Sequence, residues 1–130
     1  MPILVVDDEP SLRRIATRIV ERVGRPALEA DSGEAALHLA RERDGRVELV
    51  ITDVVMAGMD GIRLAAALRE EYPGIPVLFI SGHDMADLVR MHGLAENAYF
   101  LQKPFTPMEL AAVIETIVLE PKRSEPYPEP

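Results

Sequence analysis

Short apolar runs alternate with longer segments of helical periodicity five times along this 130-residue chain. The runs cover residues 3–6, 26–30, 48–52, 75–81 and 98–101. Apolar runs of this length are typical of strands that are buried on both faces of a parallel sheet. Parallel strands are joined by right-handed helical crossovers, so few arrangements fit the alternation. The pattern predicts an α/β domain with a doubly wound, five-stranded parallel sheet flanked by five helices.

The segments between the runs carry start and stop signals of helices. The last segment has the clearest start, with Thr106 as the cap, Pro107 at the first helical position and Glu109 completing a capping box. Ser32 is a second candidate cap, and Gly24 a candidate stop. The predicted helices cover residues 10–23, 33–40, 61–71, 85–91 and 107–119.

The last eleven residues, EPKRSEPYPEP, contain four prolines and no apolar periodicity. Such a composition cannot bury enough apolar surface to fold by itself. We therefore expect one folded domain over residues 1–119 and a Pro-rich disordered tail or linker over residues 120–130.

Composition excludes several classes of function. The net charge of −8 argues against a surface that binds nucleic acid or anionic membranes directly. The chain has no cysteine, which excludes disulfides, thiolate metal sites and thiol nucleophiles. No apolar stretch approaches the roughly 18 residues that span a bilayer. These features predict a soluble, cytoplasmic domain.

Polar residues that belong to no periodic pattern follow the predicted strands. Asp7 and Asp8 follow the first strand, Asp53 the third, Ser81 ends the fourth, and Lys103 follows the fifth. In an open parallel sheet, sites form at the carboxyl ends of the strands. The carboxylates supply the hard oxygen ligands that Mg²⁺ prefers, and the ammonium and hydroxyl could hold phosphoryl oxygens. Taken singly, each residue is more often a solvated loop residue, a helix cap or a turn; their coincidence at one edge is what favours a site.

Four ordered motifs carry a family resemblance. They are VVDDEP, ITDVVMAGMDG, FISG and LQKPF, within residues 5–105. With these motifs, residues 3–119 resemble the receiver domain of bacterial two-component response regulators, particularly those of hybrid histidine kinases. The resemblance implies a flavodoxin-like fold. It also implies a signalling phosphoacceptor rather than an enzyme, which at most catalyses its own phosphorylation and dephosphorylation.

The resemblance assigns the acids to a metal-assisted acceptor site. It implies that Asp53 takes a phosphoryl group from a phosphohistidine. Asp8, Asp53 and the backbone carbonyl of Val55 would bind Mg²⁺, and Asp7 would act mainly through water. The family usually carries a proline where Ala57 stands, which predicts a more flexible acceptor loop.

The resemblance assigns the remaining residues to phosphoryl contacts and switching. Ser81, the Gly82 amide and Lys103 would contact the phosphoryl group, and Phe100 falls at an aromatic switch position, although a plain core aromatic is an equal alternative. Val55 and His83 would flank the path of the water that removes the phosphoryl group. The Lys103-Pro104 bond is expected to be cis.

Two other functions share these residues. One is a Mg²⁺-dependent phosphatase with an aspartyl nucleophile, and the other is a degenerate receiver that only docks to partners. The complete acid, hydroxyl and lysine set favours the receiver, whose partners would be a histidine kinase or histidine phosphotransfer domain and an attached or downstream output protein. The three histidines, His38, His83 and His92, are interpreted as scattered surface residues that form no zinc site.

Overall fold

A five-stranded parallel sheet with the strand order β2-β1-β3-β4-β5 organises the protein. The computed structural model describes residues 1–120. The strands are β1 Ile3–Val6, β2 Ala27–Ala30, β3 Leu49–Asp53, β4 Val77–Ser81 and β5 Tyr99–Gln102. The helices are α1 Pro10–Arg22, α2 Gly33–Glu42, α3 Gly61–Glu71, α4 Met85–His92 and α5 Pro107–Leu119. The predicted alternation and fold class are confirmed.

Element ends agree with the sequence signals to within about two residues, and the differences have local causes. The predicted capping box is present, with the Thr106 side chain accepting from the Glu109 amide. Strand β4 starts at Val77 rather than residue 75, directly after Pro76, which has no N–H to donate to a ladder. Helix α4 extends one residue further than predicted and ends against Gly93, whose φ of 76° suits a left-handed cap.

The sheet separates two apolar layers. Alternate residues of β1 point to opposite faces, so Leu4 and Val6 join one cluster and Ile3 and Val5 the other. Helices α2, α3 and α4 cover the first face, and α1 and α5 cover the second. The central strands β1, β3 and β4 are buried on both faces, as their continuous apolar runs predict.

The pairing register aligns the carboxyl ends of four strands. Val6 of β1 lies beside Thr52 of β3, Asp53 beside Ile80 of β4, and Ser81 beside Gln102 of β5. The chain winds from β1 outward to β2 in one direction and to β3 in the other, which makes the β1–β3 boundary the switch point of the sheet. Side chains that follow β1, β3, β4 and β5 therefore gather along one edge.

No helix among residues 1–120 is long and apolar enough to cross a membrane. Residues 121–130 of the predicted tail lie outside the described residues. The division into a domain over 1–119 and a tail over 120–130 thus stays a prediction.

Candidate functional site

Three carboxylates meet at the carboxyl edge of the sheet. Asp7 and Asp8 follow β1 directly, and Asp53 is the last residue of β3. One oxygen from each lies within 4.8 Å of the others. Asp7 is largely buried, Asp53 is partly buried and Asp8 faces solvent. The structure therefore brings together the acids that the sequence predicted to be neighbours.

Backbone amides orient two of these carboxylates. Asp7 Oδ1 accepts from the Glu9 amide at 2.9 Å, and Asp8 Oδ2 accepts from the Ala57 amide at 3.2 Å. A proline at position 57 could not make this second bond, because it has no N–H. The residue that departs from the commonest family pattern thus links the acceptor loop to the acid pair.

Lys103 is the cation of the site. Its Nζ lies 3.0 Å from Asp53 Oδ2 and 4.0 Å from Asp7 Oδ2. The Lys103 amide donates to the Ser81 carbonyl at 2.8 Å, which extends the β4–β5 ladder just past the strand end. The Lys103-Pro104 bond is cis, as predicted. The two Nζ distances show that the lysine side chain is directed back over the edge toward the acids.

The charges at this edge do not balance. Three carboxylates face one ammonium, so two negative charges remain uncompensated. Burial raises the pKa of Asp7 above its ordinary value of 3.8, and the charges of Asp53 and Asp8 act in the same direction. The Glu9 amide and Lys103 oppose this rise in the pKa. The acid cluster is therefore an environment that favours a bound divalent cation.

Ser81 and Gly82 stand at the same edge, where β4 ends. Ser81 is only 1% exposed, and its Oγ accepts from the His83 amide at 3.1 Å. A hydroxyl that accepts one bond keeps its proton available for another partner. Gly82 is exposed, and an added Cβ there would meet nothing within 4 Å.

A small cavity of about 20 Å³ opens beside the acids, and Asp7, Asp53, Lys103, Leu12 and Phe105 are among the residues that line it. Leu12 comes from α1, and Phe105 from the loop after β5. Sequence reasoning did not predict this apolar rim. The reason is that the spacing of Leu12 matches the buried apolar face of an amphipathic helix, although the residue is 38% exposed.

Gly61 is a second feature that the sequence did not reveal. A Cβ at this position would overlap the backbone oxygen of Asp53, so the first turn of α3 packs directly against the end of β3. The Gly61 amide donates to the Val54 carbonyl at 2.8 Å and closes the loop between β3 and α3, residues 54–60. The glycine in the MDG motif was the available signal, but alone it indicates only a helix start.

Phe100 and Val55 differ in their surroundings. Phe100 lies on β5 beside Phe79 of β4, is partly buried and packs against the cluster under α2, α3 and α4. This position suits a core aromatic, and its switch role stays a prediction. Val55 follows Asp53 by two residues and is 51% exposed, so it stands in the loop at the edge of the site.

The fold and the site together define a class of protein: a doubly wound α/β domain with a cluster of three aspartates and a lysine at the carboxyl edge of its sheet. The sequence matches the family model described as "Response regulator receiver domain" over residues 3–115. The sensor kinase CckA of Brucella abortus is 34% identical over 116 residues, which cover 89% of this chain and 12% of CckA. The receiver protein CpdR of the same organism is 31% identical over 117 residues, covering 90% of this chain and 96% of CpdR.

Solved structures give the same result. The receiver domain of the hybrid histidine kinase CckA superposes with a TM-score of 0.76 at 35% identity, covering 91% of this chain and 99% of that domain. Vibrio cholerae chemotaxis protein CheY4 superposes with a TM-score of 0.78 at 28% identity, covering 89% and 97%. The chain spans less than half of several curated relatives, such as 46% of the Bacillus subtilis transcriptional regulatory protein YvrH.

The chain belongs to the response regulator receiver domain family. The predicted family, the flavodoxin-like fold and the role in two-component signal transduction are confirmed. Receiver domains interact with histidine kinases or histidine phosphotransfer proteins, and they generally bind Mg²⁺ at an aspartate cluster of the kind present here. No observation favours the phosphatase or the degenerate-receiver alternative.

Proposed function

We propose that Asp53 accepts a phosphoryl group from the phosphohistidine of a histidine kinase or histidine phosphotransfer domain. The observation that carries the proposal is the ion pair of 3.0 Å between Lys103 Nζ and Asp53 Oδ2 within the acid cluster. In the reaction, an Asp53 oxygen bonds to phosphorus as the phosphorus–nitrogen bond breaks, and the leaving imidazole takes up a proton. Positioning and charge neutralisation supply most of the catalysis in such a transfer.

The residues present fit a Mg²⁺ ion. Asp8, Asp53 and the Val55 carbonyl would bind it directly, and Asp7 would bind through water. All four are hard oxygen donors, and the uncompensated charge of the cluster favours a divalent cation. When bound, the ion neutralises charge on phosphoryl oxygens and between the carboxylates. Asp7 also holds the chain itself in place, because its carboxylate accepts from the Glu9 amide.

Ser81, Gly82 and Lys103 would hold the transferred group. The Lys103 ammonium would exchange part of its contact with Asp53 for a phosphoryl oxygen, and the Ser81 hydroxyl and Gly82 amide would donate to others. Ser81 has its proton available, since its oxygen accepts from His83. In this proposal the chain catalyses only its own phosphorylation and dephosphorylation.

The switch would run through the strand pair behind the site. Phe100 of β5 lies beside Phe79 of β4, two residues before Ser81. Drawing Ser81 toward a phosphoryl group would alter the packing of this pair, and the partly buried Phe100 would change its position. An attached or downstream output protein would read that change.

The partner that donates the phosphoryl group would contact the rim of the site. Leu12 and Ile15 on α1 are 38% and 46% exposed, and Leu12 lines the cavity beside the acids. An apolar rim next to a charged centre suits the side of a partner helix that carries a histidine. The proposal places the chain in the cytoplasm, where such donors obtain their phosphoryl group from ATP.

The acceptor can be tested with acetyl phosphate and Mg²⁺, followed by mass spectrometry of the modified residue. We expect stoichiometric labelling of the wild type and complete loss in Asp53→Asn. Asp31→Asn is the matched control, because Asp31 also follows a strand end, that of β2, but lies outside the acid cluster. Equal labelling of Asp53→Asn would overturn the assignment, and continuous turnover of the donor without labelled protein would favour the phosphatase.

A further inference from the structure

Two histidines at opposite ends of α4 lie side by side, and one of them, His83, directly follows the Ser81-Gly82 segment of the site. The ring centroids of His83 and His92 are 6.4 Å apart, with an angle of 45° between the ring planes. His83 belongs to the loop between β4 and α4, and His92 is the last residue of α4. Both are exposed. The predicted surface position of both histidines is confirmed, but the two rings are not scattered, because the loop and the short helix bring them together.

We propose that His83 and His92 form a second metal site, separate from the acid cluster, for a transition-metal ion such as Zn²⁺. Neutral imidazole nitrogen is a good ligand for zinc, nickel and copper, whereas Mg²⁺ prefers oxygen. The chain would therefore sort two kinds of ion between two neighbouring sites by ligand chemistry.

The observed spacing is close to that of two imidazoles on one ion. With zinc–nitrogen bonds of about 2.0–2.1 Å and tetrahedral angles, two ligating rings have centroids about 5 Å apart. The rings here are 6.4 Å apart, so a shift of about 1 Å would bring both to one ion. Each histidine is exposed and can make that shift by rotating its side chain.

The surroundings distinguish this pair from the third histidine. Among the described residues, neither ring has a carboxylate or hydrogen-bond partner, whereas His38 Nε2 lies 3.1 Å from Glu42. The two acids of the α4 start are engaged in the helix itself, since Asp84 caps the helix and Asp87 pairs with Arg90 at 2.7 Å. Water would complete the coordination, which predicts a modest affinity.

An ion at this pair would act on the acceptor site through Ser81. The His83 amide donates to Ser81 Oγ, so fixing His83 against the end of α4 fixes the loop that orients this hydroxyl. This part of the inference rests on the proposed function. Zinc would then hold the site in its unphosphorylated arrangement and slow its phosphorylation.

Binding is tested first, by calorimetric titration of Zn²⁺ into the full 130-residue chain with excess Mg²⁺ present. We expect one zinc to bind the wild type, and His83→Ala and His92→Ala each to weaken binding at least tenfold. His38→Ala should bind zinc like the wild type. The proposal is overturned if both substitutions leave the affinity unchanged, or if Asp8→Ala abolishes binding and so assigns the zinc to the acid cluster.

Coupling is tested by the rate of phosphorylation with acetyl phosphate and Mg²⁺, with and without Zn²⁺. Zinc should slow the wild type severalfold and leave the rate of His92→Ala unchanged. An equal zinc effect in both proteins, or none in either, would overturn the coupling while the binding experiment decides the site. Failure of the proposed function is distinguishable, since the wild type would then remain unlabelled even without zinc.

Discussion

The two edges of the sheet differ in how their acidic residues are paired with cations. At the amino edge, two acids each have an arginine of their own: Glu48 lies 2.7 Å from Arg25, and Glu71 lies 2.6 Å from Arg41. At the carboxyl edge, three aspartates cluster, and two of them, Asp7 and Asp53, share one lysine, Lys103. The amino edge also carries the larger cleft, of about 570 Å³, whereas the cavity beside the aspartates is about 20 Å³.

The pKa values follow the same division. Hydrogen bonding to Arg41 lowers the pKa of Glu71, while burial raises the pKa of Asp7. In a one-to-one ion pair at the surface, each charge is already neutralised, so a bound ion would gain little electrostatic energy there. Where carboxylates outnumber the cations around them, a bound cation would be stabilised by the carboxylates that are not neutralised. The size of a cleft is therefore a poorer guide to the site in this protein than the balance of its charges.

Removing the cation from each edge gives the largest expected contrast. Lys103→Ala should lower the rate of phosphorylation by acetyl phosphate by about 100-fold or more, because a positioned donor to the transferring group is lost. Arg41→Ala should leave the rate unchanged. The measurement is the time course of phosphoprotein formation in Mg²⁺. A similar rate in the two variants would remove the functional distinction between the edges.

A glycine at each edge tests the packing in the same way. Gly61→Ala should lower the free energy of unfolding by about 1–3 kcal/mol, because the added methyl meets the backbone of Asp53. Gly74→Ala is the control at the amino edge, where an added methyl has nothing within 4 Å. Urea unfolding of both variants measures the difference. An undiminished stability in Gly61→Ala would show that the α3 start can move away from β3 without cost.

Val55 should set the lifetime of the phosphorylated state. Its branched apolar side chain cannot orient a water by hydrogen bonding, so Val55→Asn should speed the loss of phosphate up to about tenfold. The decay of phosphoprotein after removal of the donor measures this effect. Met108→Gln, a polar substitution of an exposed apolar residue on α5, is the control and should decay like the wild type. Unchanged decay in Val55→Asn would show that this side chain does not gate the water.

The smallest expected effect is on stability without divalent cations. Because the folded-state pKa of Asp7 is raised, the folded protein binds more protons than the unfolded chain, and ionised Asp7 lowers stability above that pKa. Asp7→Asn should therefore stabilise the fold slightly at neutral pH. The gain should disappear as the pH falls through the raised pKa toward 3.8.

At the amino edge, Glu71→Gln should change the stability at neutral pH in the opposite direction from Asp7→Asn. The lowered pKa of Glu71 gives stability that is present above its ordinary value of 4.5 and is lost as the pH falls through its folded-state pKa. This variant should be slightly less stable than the wild type at neutral pH and equal to it in acid. Denaturant unfolding across pH measures both variants, and pH profiles of the same sign would contradict the division between the edges.

The sequence predicted the parts of the site that strand ends determine. Apolar runs locate the strands, parallel winding aligns their carboxyl ends, and the gathering of Asp7, Asp8, Asp53 and Lys103 follows. Strand-end patterns do not determine the course of the loops that connect the strands and helices. The Ala57 amide reaches Asp8 across 49 positions, and Gly61 contacts Asp53 because of how the acceptor loop folds back. Neither contact leaves a periodic or compositional signal.

The histidine pair likewise shows that the sequence predicts the position of α4 but not the contacts that the loop before it makes. The pattern predicts α4 to within one residue, but spacing in sequence says nothing about the direction in which the preceding loop leaves β4. Whether His83 points back along the helix depends on that direction. Side-chain proximity across a loop requires the folded coordinates, whereas proximity along a strand end does not.

The ion pair between Asp53 and Lys103 joins residues 50 positions apart, and the lysine follows the last strand of the sheet. During synthesis the acids emerge long before the ammonium that completes their site. A nascent chain, or one cleaved before β5, carries the proposed acceptor Asp53 without Lys103 and without the strand that pairs with Ser81. Under the proposed function, competence to receive a phosphoryl group would require the chain through β5, so unfinished copies would not draw phosphate away from complete ones.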